Sequence, residues 1–108
     1  MSDIADKFGP LRKGMLEFAV LKTVSAGKAY AADILKKLGT TEFATGEGTL
    51  YPLLSRLRRE RLVEYEWVES EAGPPRKYYY LTDAGKKQLA ELEDYWHELS
   101  ATMKKLGA

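Results

Sequence analysis

The chain contains no cysteine and only one histidine among its 108 residues. Without thiols it can form neither a disulfide framework nor a thiolate metal site, and it has no cysteine nucleophile. The single histidine, His97, has no second ligand at a useful spacing on its predicted helix, so we expect no metal site and no cofactor. A surface or interface histidine is the simpler interpretation.

Long apolar runs and enzyme motifs are also missing. No stretch approaches the ~18 apolar residues that a membrane-spanning helix needs, and the N-terminus lacks the apolar core of a secretory signal. Gly46-Glu47-Gly48 lacks the third glycine and the strand–helix context of a dinucleotide-binding loop. These absences argue against an enzyme and favour a cytoplasmic location.

Positive charge is abundant in only one part of the chain. The net charge is +1, but residues 7–61 carry eleven lysines and arginines against five acids, whereas residues 62–108 carry six against nine. Such a basic region is the expected footprint of phosphate contact, although for any single lysine a solvated surface is the simpler interpretation.

The apolar pattern predicts one mostly helical domain with a hairpin. Apolar residues at helical spacing predict helices over residues 10–26 and 30–38, followed by Gly27 and Gly39. Residues 63–68 alternate as a half-buried strand does. After the break at residues 73–75, a second strand is predicted over residues 77–81.

Residues 46–61, GEGTLYPLLSRLRRER, are predicted to form a helix with two different faces. Leucines at three- and four-residue spacing form a buried stripe: Leu50, Leu53, Leu54 and Leu57. The outward face carries aromatic, hydroxyl and basic side chains: Tyr51, Ser55, Arg56, Arg58 and Arg59. This composition is typical of a helix that reads DNA. Followed at once by a hairpin, it predicts a winged helix-turn-helix.

The last predicted helix carries an apolar seam. It begins after Thr82, a predicted N-cap, and its apolar residues recur at spacings of three and four: Leu89, Leu92, Trp96, Leu99, Met103 and Leu106. A lone helix of this length is marginal in water, so the seam needs a cover. Either the chain's own core or a second copy can supply it, and we favour the second copy because the other elements use their own apolar faces.

Three segments, in this order, resemble the PadR family of winged-helix transcriptional regulators. They are residues 48–54 followed by Arg56-Leu57 and Leu62-Val63, then Glu66-Trp67, then residues 76–79 leading to residues 81–85. The resemblance implies a winged helix-turn-helix over residues 1–82 and a C-terminal dimerisation helix over residues 83–108. It also implies a dimeric repressor whose third helix enters the major groove.

The family motif and the outward face together suggest the residues that contact DNA. Tyr51 is carried over from the matching motif position, and Arg76 and Lys77 from the family's basic wing. The full predicted set is Thr49, Tyr51, Ser55, Arg56, Arg59, Arg76 and Lys77. Three alternatives stay open: Tyr51 could pack under the wing, Thr49 could be only an N-cap, and Glu60 could hold one of the arginines in a surface pair.

Trp96 has two interpretations. It lies fourteen residues after Thr82, the interval at which small PadR-like multidrug regulators place a tryptophan that helps to stack a flat aromatic ligand. The alternative is plain packing at the dimer interface. We therefore expect a homodimeric repressor of a pseudo-palindromic operator, released by a small aromatic ligand or a stress signal. The alternative is a winged-helix protein-interaction module that binds no DNA.

Overall fold

The computed structural model describes residues 7–108; residues 1–6, with which the predicted DNA-binding domain begins, lie outside the described part. The elements follow in the order α1 Gly9–Ser25, α2 Ala31–Gly39, α3 Glu47–Arg59, β1 Val63–Ser70, β2 Gly73–Leu81 and α4 Asp83–Gly107. The predicted mostly α fold with a hairpin is confirmed, and the first two helices lie within one residue of their predicted bounds. No helix within residues 7–108 is long and apolar enough to cross a membrane.

One hydrophobic core joins the helices to the base of the hairpin. Leu50, Leu54 and Leu57 of α3 are fully buried in it, while Leu53 packs at its edge. The predicted stripe on α3 is therefore confirmed for three leucines and partly for the fourth. The other core residues come from all the remaining elements: Leu16, Val20, Leu21, Val24, Ala31, Ile34, Leu38, Val63, Tyr79, Leu81 and Leu89.

The second strand begins earlier than predicted. Residues 77–81 were expected, but β2 starts at Gly73 and runs through Pro74 and Pro75. The partners of Val68 and Ser70 are Arg76 and Gly73, so β2 holds one extra residue at the two prolines. Such a bulge tolerates residues that cannot donate an N–H to the ladder. The break at residues 73–75 therefore belongs to the start of the strand, as an irregularity in its pairing, rather than preceding the strand.

The hairpin is anchored to the entrance of α2. Ala29 and Tyr79 exchange two backbone hydrogen bonds, with N–O distances of 3.1 and 2.8 Å. Residue 29 thus pairs with the free side of β2, immediately before Tyr30 caps α2. The base of the wing is therefore fixed to the helix-turn-helix by backbone bonds.

The start of α4 is pressed against the turn that follows α3. Thr82 is its N-cap, as predicted, because the Thr82 hydroxyl accepts a 2.9 Å bond from the Gly85 N–H. Gly85 is buried, and a Cβ at this position would lie 1.9 Å from the carbonyl oxygen of Leu62. Only glycine permits this approach, so Gly85 fixes the direction in which α4 leaves the domain.

The apolar seam of α4 is covered only at its beginning. Leu89 is 8% exposed and belongs to the core of its own chain, and Leu92 packs at the edge of that core. Further along, the exposed fractions are 47% for Trp96, 65% for Met103 and 75% for Leu106, with Leu99 half-buried. The chain's own core therefore covers the start of the seam, and the apolar residues beyond it are open to a partner.

Candidate nucleic-acid interface

The most exposed line of α3 lies opposite its buried leucines. With about 100° of rotation per residue, Gly48, Pro52, Ser55 and Arg59 follow one another along this line, and all four are exposed. Three of these residues are small, so the helix can approach a surface closely along most of its length. Arg59 places a positive charge at the end of the line. Sequence reasoning had named Ser55 and Arg59 but not Gly48 and Pro52, which precede them on the line.

The flank of α3 that faces α1 is held by Arg56. Its Nη2 lies 2.5 Å from Glu17 Oε1 on α1, and its Nη1 lies 3.0 Å from Glu60 Oε2 on the next turn of α3. The hydrogen bond to Glu17, and then the one to Glu60, raise the pKa of Arg56 above its ordinary value. Arg56 therefore connects α3 to α1, and its predicted contact with DNA stays a prediction. The sequence alternative in which Glu60 holds an arginine is the arrangement observed.

The other flank of α3 meets the wing through cations and aromatic rings. Arg58 Nε donates to Glu64 Oε1 at 2.6 Å, and its guanidinium lies 4.5 Å from the centroid of the Tyr65 ring. Lys77 Nζ approaches the same ring at 4.5 Å and the Trp67 ring at 5.5 Å. The Arg58 guanidinium is attracted to the face of the Tyr65 ring, so its two contacts attach the wing to α3, whereas the Lys77 contacts lie within the wing.

Two pKa shifts follow from this packing. The Arg58 guanidinium, together with the Tyr65 backbone N–H, holds the pKa of Glu64 below its ordinary value of 4.5. Burial, and then the neighbouring Tyr51, raise the pKa of Tyr79 above 10.0. Glu64 is therefore ionised at neutral pH, so the ion pair between Arg58 and Glu64 is formed there. Tyr79 keeps its proton at the same pH.

The outer part of the wing is more exposed than its sequence pattern predicted. Residues 63–68 were expected to be half-buried, but only Val63 is buried and Trp67 is 61% exposed. The hairpin runs past the end of the core, so its later residues have no layer to pack against. Trp67 instead lines a cleft of about 400 Å³, here called the aromatic cleft, between the wing and the N-terminus of α2.

The aromatic cleft gathers several of the predicted contacts. Tyr51 lies in its wall and is 48% exposed, so it is not packed away under the wing. The Arg76 guanidinium lies 4.8 Å from the centroid of the Tyr30 ring. The cleft is lined by Tyr30, Ala31, Ala32, Tyr51, Trp67, Pro75, Arg76, Lys77 and Tyr79, none of which is acidic.

Thr49 has an open hydroxyl on the flank near Arg56. The alternative that it serves as the N-cap of α3 is wrong, because Gly46 holds that position and no side chain caps it. Thr49 is exposed in the first turn, one residue before the buried Leu50. The structure thus places Thr49 and Tyr51 on opposite sides of the exposed line.

The start of α3 is positioned by a residue that sequence reasoning counted only as charge. Arg12 on α1 donates to the carbonyl oxygens of Glu42 and Ala44, at 3.0 and 2.7 Å. These bonds hold the loop between α2 and α3. Arg12, one of the eleven basic residues in residues 7–61, therefore has a structural role.

A second open surface lies on the other side of α1. A groove of about 620 Å³, the apolar groove, separates α1 from α4 and from the end of α2. Its apolar lining is Met15, Phe18, Ala19, Leu38, Phe43 and Trp96, and the pair Lys22–Glu93 at 3.0 Å lies at its edge. Trp96 and the exposed part of the α4 seam are therefore continuous with an apolar depression. Among residues 7–108 there is no group of three metal-ligating side chains.

The same architecture is found in a family of regulators and in solved structures. The profile of the transcriptional regulator PadR-like family matches residues 20–91. A PadR-like transcription factor from Bacteroides fragilis is 48% identical, with 94% of this chain and 98% of the other covered and a TM-score of 0.80. A PadR-like transcriptional regulator from Bacillus cereus is 39% identical, covering 87% and 92%, with a TM-score of 0.79.

A third solved structure extends the likeness along most of the chain. A PadR family transcriptional regulator from Eggerthella lenta is 35% identical, with 95% of this chain and 90% of the other covered and a TM-score of 0.82. The family and these relatives are transcriptional regulators, not enzymes, in agreement with the prediction from the sequence.

Proposed function

Because this chain belongs to the transcriptional regulator PadR-like family, we propose that it is a repressor that binds a pseudo-palindromic operator as a homodimer. The observation that carries the proposal is the exposed line of α3, where Ser55 and Arg59 stand beside a wing that is attached to α3 through Arg58 and to the entrance of α2 through Ala29. A helix of about 10 Å diameter with small outward side chains fits the major groove.

Within this proposal the contacts divide between base edges and backbone. Ser55 on the exposed line, with Thr49 and Tyr51 on its two sides, faces the base edges of the major groove. Arg59 at the end of that line, and Arg76 and Lys77 on the wing, meet the adjacent phosphates. Arginine is suited to a phosphate because its guanidinium donates to two oxygens at once. Arg56 is given a different role from the one expected from sequence, since it is bound to Glu17 and Glu60.

Dimerisation is proposed to use the exposed part of α4. Trp96, Leu99, Met103 and Leu106 present an apolar strip beside the apolar groove. Apolar surface of this extent is commonly covered by a partner. A second copy would bring an identical strip and an identical groove, as a two-fold interface requires. Residues 1–82 would then form the DNA-binding part and residues 83–108 the dimerisation helix.

A small aromatic effector is proposed to bind at Trp96. The tryptophan is 47% exposed and lines the apolar groove, so its ring face is accessible to a planar molecule. Binding there would release DNA only if the ligand prefers a dimer whose two recognition helices have a different separation. Quenching of Trp96 fluorescence in a Trp67→Phe background tests this part of the proposal, since Trp67 would otherwise contribute to the signal.

The DNA-binding proposal is tested by selecting fragments of the source genome on the purified protein and titrating an enriched duplex of about 30 base pairs. Arg59→Ala should weaken binding and lower the slope of log K against log salt by about 0.9 per subunit. Lys36→Gln, the control, removes one positive charge from a surface that none of the proposed contacts shares. A protein that enriches no fragment would favour the protein-interaction module instead.

A further inference from the structure

Arg61 adopts a backbone conformation that ordinarily favours glycine. Its φ is 63°, and it is the one residue other than glycine with a positive φ in the described part of the chain. The turn ends α3: the Arg61 N–H donates to the Arg58 carbonyl at 3.0 Å, and the Leu62 N–H donates to the Leu57 carbonyl at 2.9 Å. This is the usual closure of a helix, in which the left-handed position is taken by glycine or asparagine because a Cβ is strained there.

The local fold does not explain why an arginine stands at this position. Among the described residues, the only polar contact that Arg61 makes beyond the turn is at its carbonyl oxygen, which accepts a 2.7 Å bond from the Thr82 hydroxyl. Glycine would offer the same carbonyl. Within residues 7–108 the Arg61 guanidinium forms no ion pair, and the residue is exposed. A strained residue without a stabilising contact points to a role outside the fold.

The Arg61 side chain lies at a concentration of positive charge. A cleft of about 390 Å³, the basic cleft, opens between the last turns of α3 and the wing, and Arg58, Arg59, Arg61 and Lys77 line it. Its only acidic lining residue, Glu64, is already bound to Arg58 at 2.6 Å. Arg59, Arg61 and Lys77 have no carboxylate partner among the described residues. Three cations therefore converge on one opening without an anion to neutralise them.

We propose that Arg61, together with Arg59 and Lys77, holds one backbone phosphate of the bound duplex in the basic cleft. The cleft lies between the helix proposed to enter the major groove and the wing beside it, which is where a DNA strand passes from one to the other. A phosphodiester is the fitting ligand because guanidinium groups bind its oxygens by charge-assisted hydrogen bonds. This inference rests on the proposed DNA binding and adds a contact that neither helical periodicity nor the wing motif indicated.

Arg61 should lower the stability of the fold but strengthen the binding of DNA, so one substitution should change the two properties in opposite directions. Arg61→Gly relieves the backbone strain and should raise Tm by about 4 °C. The same change should weaken binding of the enriched duplex about eightfold per subunit at ~0.1 M salt and lower the salt slope by about 0.9 per subunit. Arg61→Lys keeps the charge and should keep most of the slope.

Two further variants complete the experiment. Arg61→Asn tolerates the left-handed conformation and removes the charge, so it should bind like Arg61→Gly. Lys36→Gln, on the surface away from the cleft, should leave the slope unchanged. Wild-type affinity and slope in Arg61→Gly, or an equal loss of slope in Arg61→Lys, would overturn the phosphate contact alone. A wild-type protein that binds no duplex would overturn the proposed function as well.

Discussion

The protein presents two open surfaces of opposite chemistry on the two sides of α1. On one side, α3 and the wing expose arginines, a lysine and hydroxyl groups around the basic cleft and the aromatic cleft. On the other side, α1 and α4 expose methionine, phenylalanine, tryptophan and leucine around the apolar groove. The first surface suits a polyanion and the second suits another apolar surface. The chemistry of each therefore indicates a different class of partner.

Two ion pairs on α1 connect the two surfaces. Glu17 of α1 binds Arg56 on α3, and Lys22, farther along α1, binds Glu93 on α4 at 3.0 Å. Both pairs are partly exposed, so each is worth little in stability by itself. Because both pairs involve α1, a movement of α4 relative to α1 would also change the contact between α1 and α3.

The largest effect is expected at Gly85, where the start of α4 packs against the turn that follows α3. Gly85→Ala places a methyl group 1.9 Å from the Leu62 carbonyl oxygen, so the base of α4 must move. We expect a loss of about 3 kcal/mol in the free energy of unfolding. Gly14→Ala, at an exposed helical site with no atom within 4 Å, is the control and should be neutral or stabilising by up to about 1 kcal/mol. Chemical denaturation measures both, and equal stabilities would contradict the fixed packing of α4.

The next effect concerns the apolar surface. Met103→Asp with Leu106→Asp changes residues that are 65% and 75% exposed, so the fold of one chain should be preserved. If these residues meet a second copy, the variant should sediment as a monomer and bind the operator about 100-fold more weakly, because the half-sites are then bound separately. Ala101→Asp, on the opposite face of α4, should remain dimeric. A variant that still sediments as a dimer would place the interface elsewhere.

A smaller effect distinguishes the two roles of Arg56. If Arg56 braces α3 against α1, Glu17→Gln should weaken operator binding about threefold without changing the salt slope. If Glu17 instead withholds Arg56 from DNA, the same substitution should strengthen binding and increase the slope. Glu42→Gln, an exposed acid on the loop before α3, controls for the loss of one negative charge. Whether the affinity falls or rises therefore shows whether Arg56 supports α3 or contacts DNA.

The smallest effect is a dependence of stability on pH. Arg58 holds the pKa of Glu64 below 4.5, so the pair contributes stability at neutral pH that is lost as the pH falls through this lowered value. The Tm difference between wild type and Glu64→Gln should therefore be greatest near pH ~7 and should shrink toward pH ~3. A difference that stays constant between these pH values would show that the carboxylate charge plays no part.

Sequence reasoning located the elements better than the contacts between them. Helical spacing identified α1, α2 and the buried leucines of α3, because these depend on neighbours three or four residues away. Arg56 was placed outward because its partner, Glu17, lies 39 residues earlier, where no periodicity could reveal it. The left-handed Arg61 was missed for a related reason, since glycine is the usual signal for that turn. The exposure of Trp67 depends on where the core ends, which strand alternation does not encode.

We propose that the charged surface binds DNA while the apolar surface binds a second copy of the chain. Sedimentation velocity of the protein with a labelled duplex of about 30 base pairs, selected from genomic fragments, tests both parts in one experiment. We expect a complex of two chains per duplex that dissociates progressively as the salt concentration is raised, because binding at the phosphates releases counterions. A duplex that sediments as free DNA at low salt, or a complex indifferent to salt, would contradict it.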